Sequence, residues 1–200
     1  MYLYYKGMKV KKRQNESALV YSAQQGDKEA MQLLLTRNWT WLKGLVYSVV
    51  GRADQIDDVL QDICVRVIRK IDSLREPERF RPWLAVLARR EALKSRQRRA
   101  KQPMQLHDEF AEVADDQKAR QSYESMEQKE LYGQIIGAIR LLPEKYRQVF
   151  MLQHSGDLTY GQIAEILDIP ITTVQIRLVR ARRMIYNTVT NKNSKKVWGK

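Results

Sequence analysis

The chain of 200 residues has one cysteine, Cys64, so no disulfide can form within it, and that count fits a reducing compartment. Its two histidines, His107 and His154, are isolated and have no metal-ligand spacing relative to Cys64, so no metal and no cofactor are expected. Five prolines and nine glycines are too few to interrupt long helical patterns, and no stretch alternates convincingly as a strand. No run approaches the roughly 18 apolar residues that a membrane span needs, so no membrane insertion is expected. The opening Met1-Tyr-Leu-Tyr-Tyr5 is too short for a signal-peptide core, and Met8 is an alternative translation start. Acid is also scarce, with 23 Asp and Glu against 36 Lys and Arg, a formal charge of +13. Such a surplus implies a polyanionic partner, nucleic acid first and an anionic membrane surface second.

With 44% hydrophobic residues there is enough apolar material for packed cores. The expected fold is all-α: two small helical domains joined by a flexible acidic linker, the C-terminal one containing a helix-turn-helix. The expected layout is a basic tail over 1–16, a first domain over 17–101 and the linker over 102–127. A second domain over 128–190 and a basic tail over 191–200 follow. His107 to Glu130 carries eight acids against three bases, and Pro103 opens a stretch of weak periodicity.

The most informative stretch lies in the second domain. Thr159 is a candidate N-cap for a helix with Ile163, Ala164, Ile166 and Leu167 at helical spacing. Asp168-Ile-Pro170 breaks that pattern, because Pro170 disfavours the α conformation at Ile169. Val174, Leu178, Ala181 and Ile185 then mark a second amphipathic helix of about four turns. Two helices joined by three residues read as a helix-turn-helix. From Ile171 onward there are eight Lys or Arg and no Asp or Glu. Thr172, Thr173, Gln175 and Ile176 are candidates for base edges in a major groove, Arg180 and Arg183 for phosphates, and Arg177 for either. An ordinary helical hairpin with a solvated basic face fits the same pattern, but turn, periodicity and charge together favour DNA.

The first domain offers two further surfaces. Asp27 is a candidate cap for a helix running to Gly51, with Trp39 and Trp41 expected in its core. A helix over 54–71 buries Val59, Leu60, Ile63, Val67 and Ile71 and keeps Asp57, Asp58, Gln61 and Asp62 on its outer side. Carboxylates at a helix start are favoured by its dipole alone, and a metal-dependent nuclease could use them as well. No second carboxylate cluster converges with them, so a protein-docking face is the better functional reading. A polar loop over 73–82 then leads into a helix from Trp83 to Lys101, with Pro82 at its first position. From Arg89 to Lys101 it has seven bases and one acid. Phe80 and Trp83 ahead of this charge resemble aromatic-plus-basic surfaces that grip single strands, although charge runs also mark solvated faces.

These residues resemble the extracytoplasmic-function (ECF) sigma factors of bacterial RNA polymerase over about 17–101 and 128–188. Gly26-Asp27 with Glu29-Ala30 is similar to the family's opening helix-turn, and Asp57-Asp-Val-Leu-Gln-Asp62 to its core-polymerase-binding stretch. Phe80-Arg-Pro-Trp-Leu84 with Ala88-Arg89 resembles the promoter-melting segment. Leu142-Pro-Glu-Lys-Tyr-Arg-Gln-Val-Phe150, Ile163-Ala164, Thr173-Val174, Arg177-Leu178 and Arg180-Ala-Arg182 resemble its fourth region. The resemblance implies a non-catalytic subunit that binds core RNA polymerase and promoter DNA, acts in the cytoplasm and has an anti-sigma factor as a candidate partner. It further implies core binding through Asp57, Asp58, Gln61, Asp62 and Val65. Minus-ten binding would fall to Phe80, Arg81, Trp83, Arg89, Arg90, Lys94 and Arg98, and minus-thirty-five binding to Thr172, Thr173, Gln175, Ile176, Arg177, Arg180 and Arg183. The chain departs from the family at Arg90, where Asn is usual, and Lys94, where Asp is usual. Gln175 and Ile176 stand where a basic residue and Ser are common, and all four bear on promoter preference. The rival reading is a stand-alone helix-turn-helix regulator, which leaves the acidic helix and the first basic surface without a role.

Overall fold

The computed structural model describes residues 16–52, 54–100, 126–155 and 158–197; among them there are helices and no strand. Helix α1 covers residues 16–24. It is followed by α2 (Lys28–Val50), α3 (Ile56–Lys70), two short 3-10 turns (Ile71–Ser73 and Pro77–Arg79) and α4 (Phe80–Ala100). After the linker come α5 (Met126–Arg140), α6 (Glu144–Ser155), α7 (Tyr160–Leu167) and α8 (Ile171–Val197). Most of the linker, the first 15 residues and Gly156 lie outside the described residues, and so do the readings made on them.

Local chemistry sets the boundaries. Asp27 caps α2, its Oδ1 accepting from the amides of Glu29 (2.9 Å) and Ala30 (3.1 Å). Gly51 ends the helix at φ 76°, left-handed backbone that glycine enters without strain, and donates to the Tyr47 carbonyl. Helix α4 starts at Phe80, earlier than the sequence predicts, because the Pro77–Arg79 turn runs straight into it. Pro82 is accommodated in the first turn, where no amide is needed for the helix ladder. Thr159 and Gln162 form a capping box: the Thr159 amide donates to Gln162 Oε1 (2.9 Å) and the Gln162 amide to Thr159 Oγ1 (3.2 Å). Asp168, at φ 55°, turns the chain out of α7, and the amides of Thr173 and Val174 restart it on the Pro170 carbonyl.

Val20, Leu34, Leu42, Leu45, Val46, Leu60, Ile63, Val67, Leu84 and Ala88 join α1–α4 into the first core. Val149, Leu152, Ile163, Leu167, Val174 and Leu178 do the same for α6–α8. Both groups belong to one continuous cluster, because α6 packs along α2. The approach is close at Gly44, where a Cβ would lie 2.5 Å from Met151 Cε, the free end of a flexible side chain.

Two expectations are corrected. Trp41 is buried as predicted, but Trp39 is 40% exposed. The helix starting at Ile171 continues to Val197 instead of stopping after about four turns, so most of the segment read as a tail is helical. The two helical domains, whose relative placement the sequence leaves open, are in contact.

Candidate nucleic-acid and polymerase interfaces

On α3 the buried row Ile56, Val59, Leu60, Ile63 and Val67 fixes the helix against α2 and α4. The remaining side carries Asp57, Asp58, Gln61 and Asp62, all exposed, with Val65 42% exposed beside them. The five predicted docking residues therefore share one accessible face. Asp58 also accepts from Arg99 of α4 at 3.1 Å, a surface pair of small energetic weight. Next to this face, Met31, Leu35, Trp39, Cys64 and Ile68 line an open groove of about 970 Å³. Burial raises the Cys64 thiol above its usual range, which disfavours the reactive thiolate.

The residues assigned to single-strand capture do not act as one group. Phe80 is 1% exposed, its ring set in the first domain's core at 5.9 Å from the ring of Trp83. The expectation that it presents this ring to DNA is corrected: the Pro77–Arg79 turn swings it inward to cover apolar surface. Arg81 is likewise structural, its Nε 2.9 Å from Glu16 Oε2, while Asn38 donates to Glu16 Oε1 at 3.2 Å. Both partners of that ion pair are nearly buried, so the guanidinium is committed to holding α1 on the domain. Trp83 is half-buried against the same core.

Further along α4 the bases divide by face. Arg90, Lys94 and Arg98, four residues apart, form an exposed stripe. Arg89 and Arg96 face the second domain. Arg96 Nη1 donates to Glu144 Oε1 (2.6 Å) and to the Val49 carbonyl (3.2 Å). Burial pulls Arg89 below the usual guanidinium range, a shift that Glu144 and Asp168 oppose and Arg96 reinforces. Arg89 and Arg177 line one cleft of about 420 Å³ together with Glu144, Lys145, Gln148 and Leu167.

On α8, Val174, Leu178 and Ala181 are buried. Thr172, Gln175, Ile176, Arg180 and Arg183 are exposed, and Thr173 and Arg177 are half-buried. Ile176 is 51% exposed, an apolar side chain left half open to solvent. Arg180 hydrogen-bonds the Tyr146 hydroxyl and thereby lowers the phenol from its usual value. The front of α8 thus offers hydroxyl, amide and aliphatic groups ahead of guanidinium groups, the order a groove-reading helix needs.

A contact that sequence reasoning missed is the one made by Arg147 of α6. Its guanidinium donates to the carbonyls of Arg140 and Leu142 at the end of α5, both at 3.1 Å. It also reaches the Ser48 carbonyl near the end of α2 (3.4 Å) and lies over the Tyr47 ring. One cation thereby serves the carbonyl-rich ends of two helices in different domains.

Comparison with known proteins agrees with this arrangement. Residues 34–102 match the family model "Sigma-70 region 2" and residues 132–185 match "Sigma-70, region 4". The chain is 33% identical to the ECF RNA polymerase sigma-E factor of Haemophilus influenzae over 87% of its own length and 95% of that protein. It is 31% identical to the ECF RNA polymerase sigma-E factor of Escherichia coli K12, over 87% and 94%. Among solved structures, CnrH in complex with the cytosolic domain of CnrY has the same fold, at TM-score 0.58 and 20% identity, covering 88% of this chain and 98% of that one. So does the sigma factor RpoE of Bartonella quintana, crystallised with the anti-sigma factor NepR, at TM-score 0.58 and 18% identity over 80% and 96%. A helix-turn-helix domain paired with a helical domain bearing an acidic face and a basic helix, matched by both family models, marks a promoter-directing initiation factor. The chain belongs to the ECF RNA polymerase sigma factors. Members of this family are initiation factors without enzymatic activity, and no described helix here is long and apolar enough to cross a membrane.

Proposed function

We propose that three exposed faces divide the work of promoter-directed initiation. The observation that carries this reading is that each face stands on a helix whose opposite side is buried in its own domain core. Asp57, Asp58, Gln61, Asp62 and Val65 on α3 bind core polymerase. Arg90, Lys94 and Arg98, with Trp83 and Arg89 at the edge, hold the melted minus-ten strand. Phe80 and Arg81 support that surface from beneath without touching DNA. Thr172, Thr173, Gln175, Ile176 and Arg177 read the minus-thirty-five duplex, with Arg180 and Arg183 on its phosphates. The functional domains run over about 17–101 and 128–190.

The chain itself catalyses nothing; bond formation belongs to the polymerase, and the chain supplies position and strand capture. Extruding a base costs a few kcal/mol, which stacking and arginine contacts offset. It acts in the cytoplasm, on the nucleoid when bound to polymerase. Two proteins of the same fold were solved in complex with partners, one of them an anti-sigma factor, which supports a comparable protein as a regulator of this chain.

The test replaces Arg90, Lys94 and Arg98 together with Gln. Binding to core polymerase and to a minus-thirty-five duplex should persist while promoter opening, read by permanganate reactivity, is lost. Normal opening by this variant would reject the stripe as the strand-capture surface.

A further inference from the structure

Helix α1 is tied to the segment between α3 and α4 by one side chain. The amide nitrogen of Gln24, the last residue of α1, donates to the carbonyls of Ile71 (2.9 Å) and Leu74 (2.7 Å), 47 and 50 residues further along. The Ile71 carbonyl also accepts from the Leu74 amide at 3.0 Å, so the two acceptors bracket the 3-10 turn that follows α3. A primary amide carries two N–H groups and can serve both oxygens at once. The other end of α1 is held by the Glu16–Arg81 pair, so α1 is anchored to the domain at both ends.

Gln24 fixes the first residue of a cleft wall. Leu74 leaves the turn in extended backbone, φ −80° and ψ 104°, and leads through Arg75 and Glu76 into the Pro77–Arg79 turn. Its carbonyl belongs to no helix ladder, and Gln24 supplies its donor. Leu74, Arg75, Glu76 and Arg79 line a cleft of about 280 Å³ together with Trp83 and Val86 of α4. Loop and helix thus bring two arginines and an indole to one place, the combination of charge and ring that holds single-stranded nucleic acid.

We propose that Gln24 is a positioning residue for strand capture: by tying the start of the Leu74–Arg79 loop to α1, it sets the placement of that loop against Trp83 and so which bases of the melted strand the chain accepts. This rests on the strand-capture reading of Trp83 and α4 and adds to it a residue that touches no DNA. Gln24 lies ahead of residues 34–102, which match the region 2 model, and acts from a different helix from the α4 residues of that surface. The amide does this through its donors and not through its bulk, so another donor of similar reach at position 24 serves as well.

The test uses the full chain with core enzyme on duplexes randomised over the minus-ten block, with the transcribed templates sequenced. Gln24→Leu keeps the size of the side chain and removes both donors, whereas Gln24→Lys keeps an ammonium that can reach both carbonyls. Gln24→Leu should lower base preference at least fivefold at one or two minus-ten positions, with core binding and minus-thirty-five affinity within twofold of wild type. Gln24→Lys should keep every preference within twofold. Amide exchange at residues 75–79 should rise at least tenfold in Gln24→Leu, with α2 and α3 unchanged. Wild-type preference in Gln24→Leu, a uniform loss at all positions, equal losses in the two variants, or an exchange increase spread over α2 and α3 would overturn the proposal. A wild-type chain that enriches no minus-ten block overturns the strand-capture reading itself, and the role of Gln24 falls with it.

Discussion

Phe80→Ala distinguishes a core aromatic from a DNA-stacking one. The ring is 1% exposed and stands at the start of α4, where α4 meets the rest of the first domain. A buried Phe removes roughly 150–250 Å² from water, which at about 25 cal/mol per Å² is about 4–6 kcal/mol of transfer energy. Measured truncations of buried Phe cost about 3–5 kcal/mol. For a chain of this length each kcal/mol moves the melting temperature by about 2–4 °C, so a loss of about 10 °C is expected. Phe80→Leu keeps most of the volume and should recover most of that loss. The assay is thermal melting of the full chain by ellipticity at 222 nm, alongside binding of a minus-ten single strand well below the transition. Strand affinity should stay near wild type at low temperature in both variants. A Phe80→Ala protein that melts normally but no longer binds the strand would refute the core assignment.

Three further outcomes follow from the site geometry. Asp62→Arg should weaken core-polymerase binding in a pull-down while leaving helicity intact; unchanged affinity of the folded variant would remove α3 from the docking face. Gln175→Ala should change preference by about 1–3 kcal/mol at one base pair, whereas Arg183→Ala should weaken all sites alike and reduce the salt slope by about one unit. A panel of point-substituted duplexes at several salt concentrations separates them, and the reverse pattern would show α8 docked the wrong way round. Burial, reinforced by Arg182, holds the His154 imidazole below its ordinary pKa. The unfolded chain therefore binds this proton first, so stability should fall as pH drops through about 6.5 toward the lower folded value. Urea melts between pH 7.5 and 5.5 should show this for the wild type and less of it for His154→Gln.

What could be read from the sequence was local. The Thr159 cap, the break at Asp168-Ile-Pro170 and the step pattern of α8 depend on neighbours within a turn, and the structure has each of them. The exposed polar row on α3 was legible for the same reason, since apolar residues at helical spacing leave the polar ones outside. Phe80 was misplaced because it follows a polar, proline-marked segment that looks like an exposed loop. Only the 3-10 turn at Pro77–Arg79 shows that the chain is already curling into α4 there. Arg81 was misread because its partner, Glu16, is 65 residues away. The packing of the two domains has no periodic signature at all. Its traces are single residues, a glycine inside α2 and an arginine on α6 whose acceptors lie on other helices.

The central claim is that this chain brings polymerase to promoters through two DNA surfaces on separate domains. The most direct test is transcription of fragmented genomic DNA by core enzyme with and without the chain, with every new start mapped. The account predicts new starts that share two sequence blocks at a constant spacing, lost upstream when α8 is altered and unopened when the α4 stripe is altered. Binding to DNA without core enzyme, with no new starts when core is added, would contradict it and favour a stand-alone regulator.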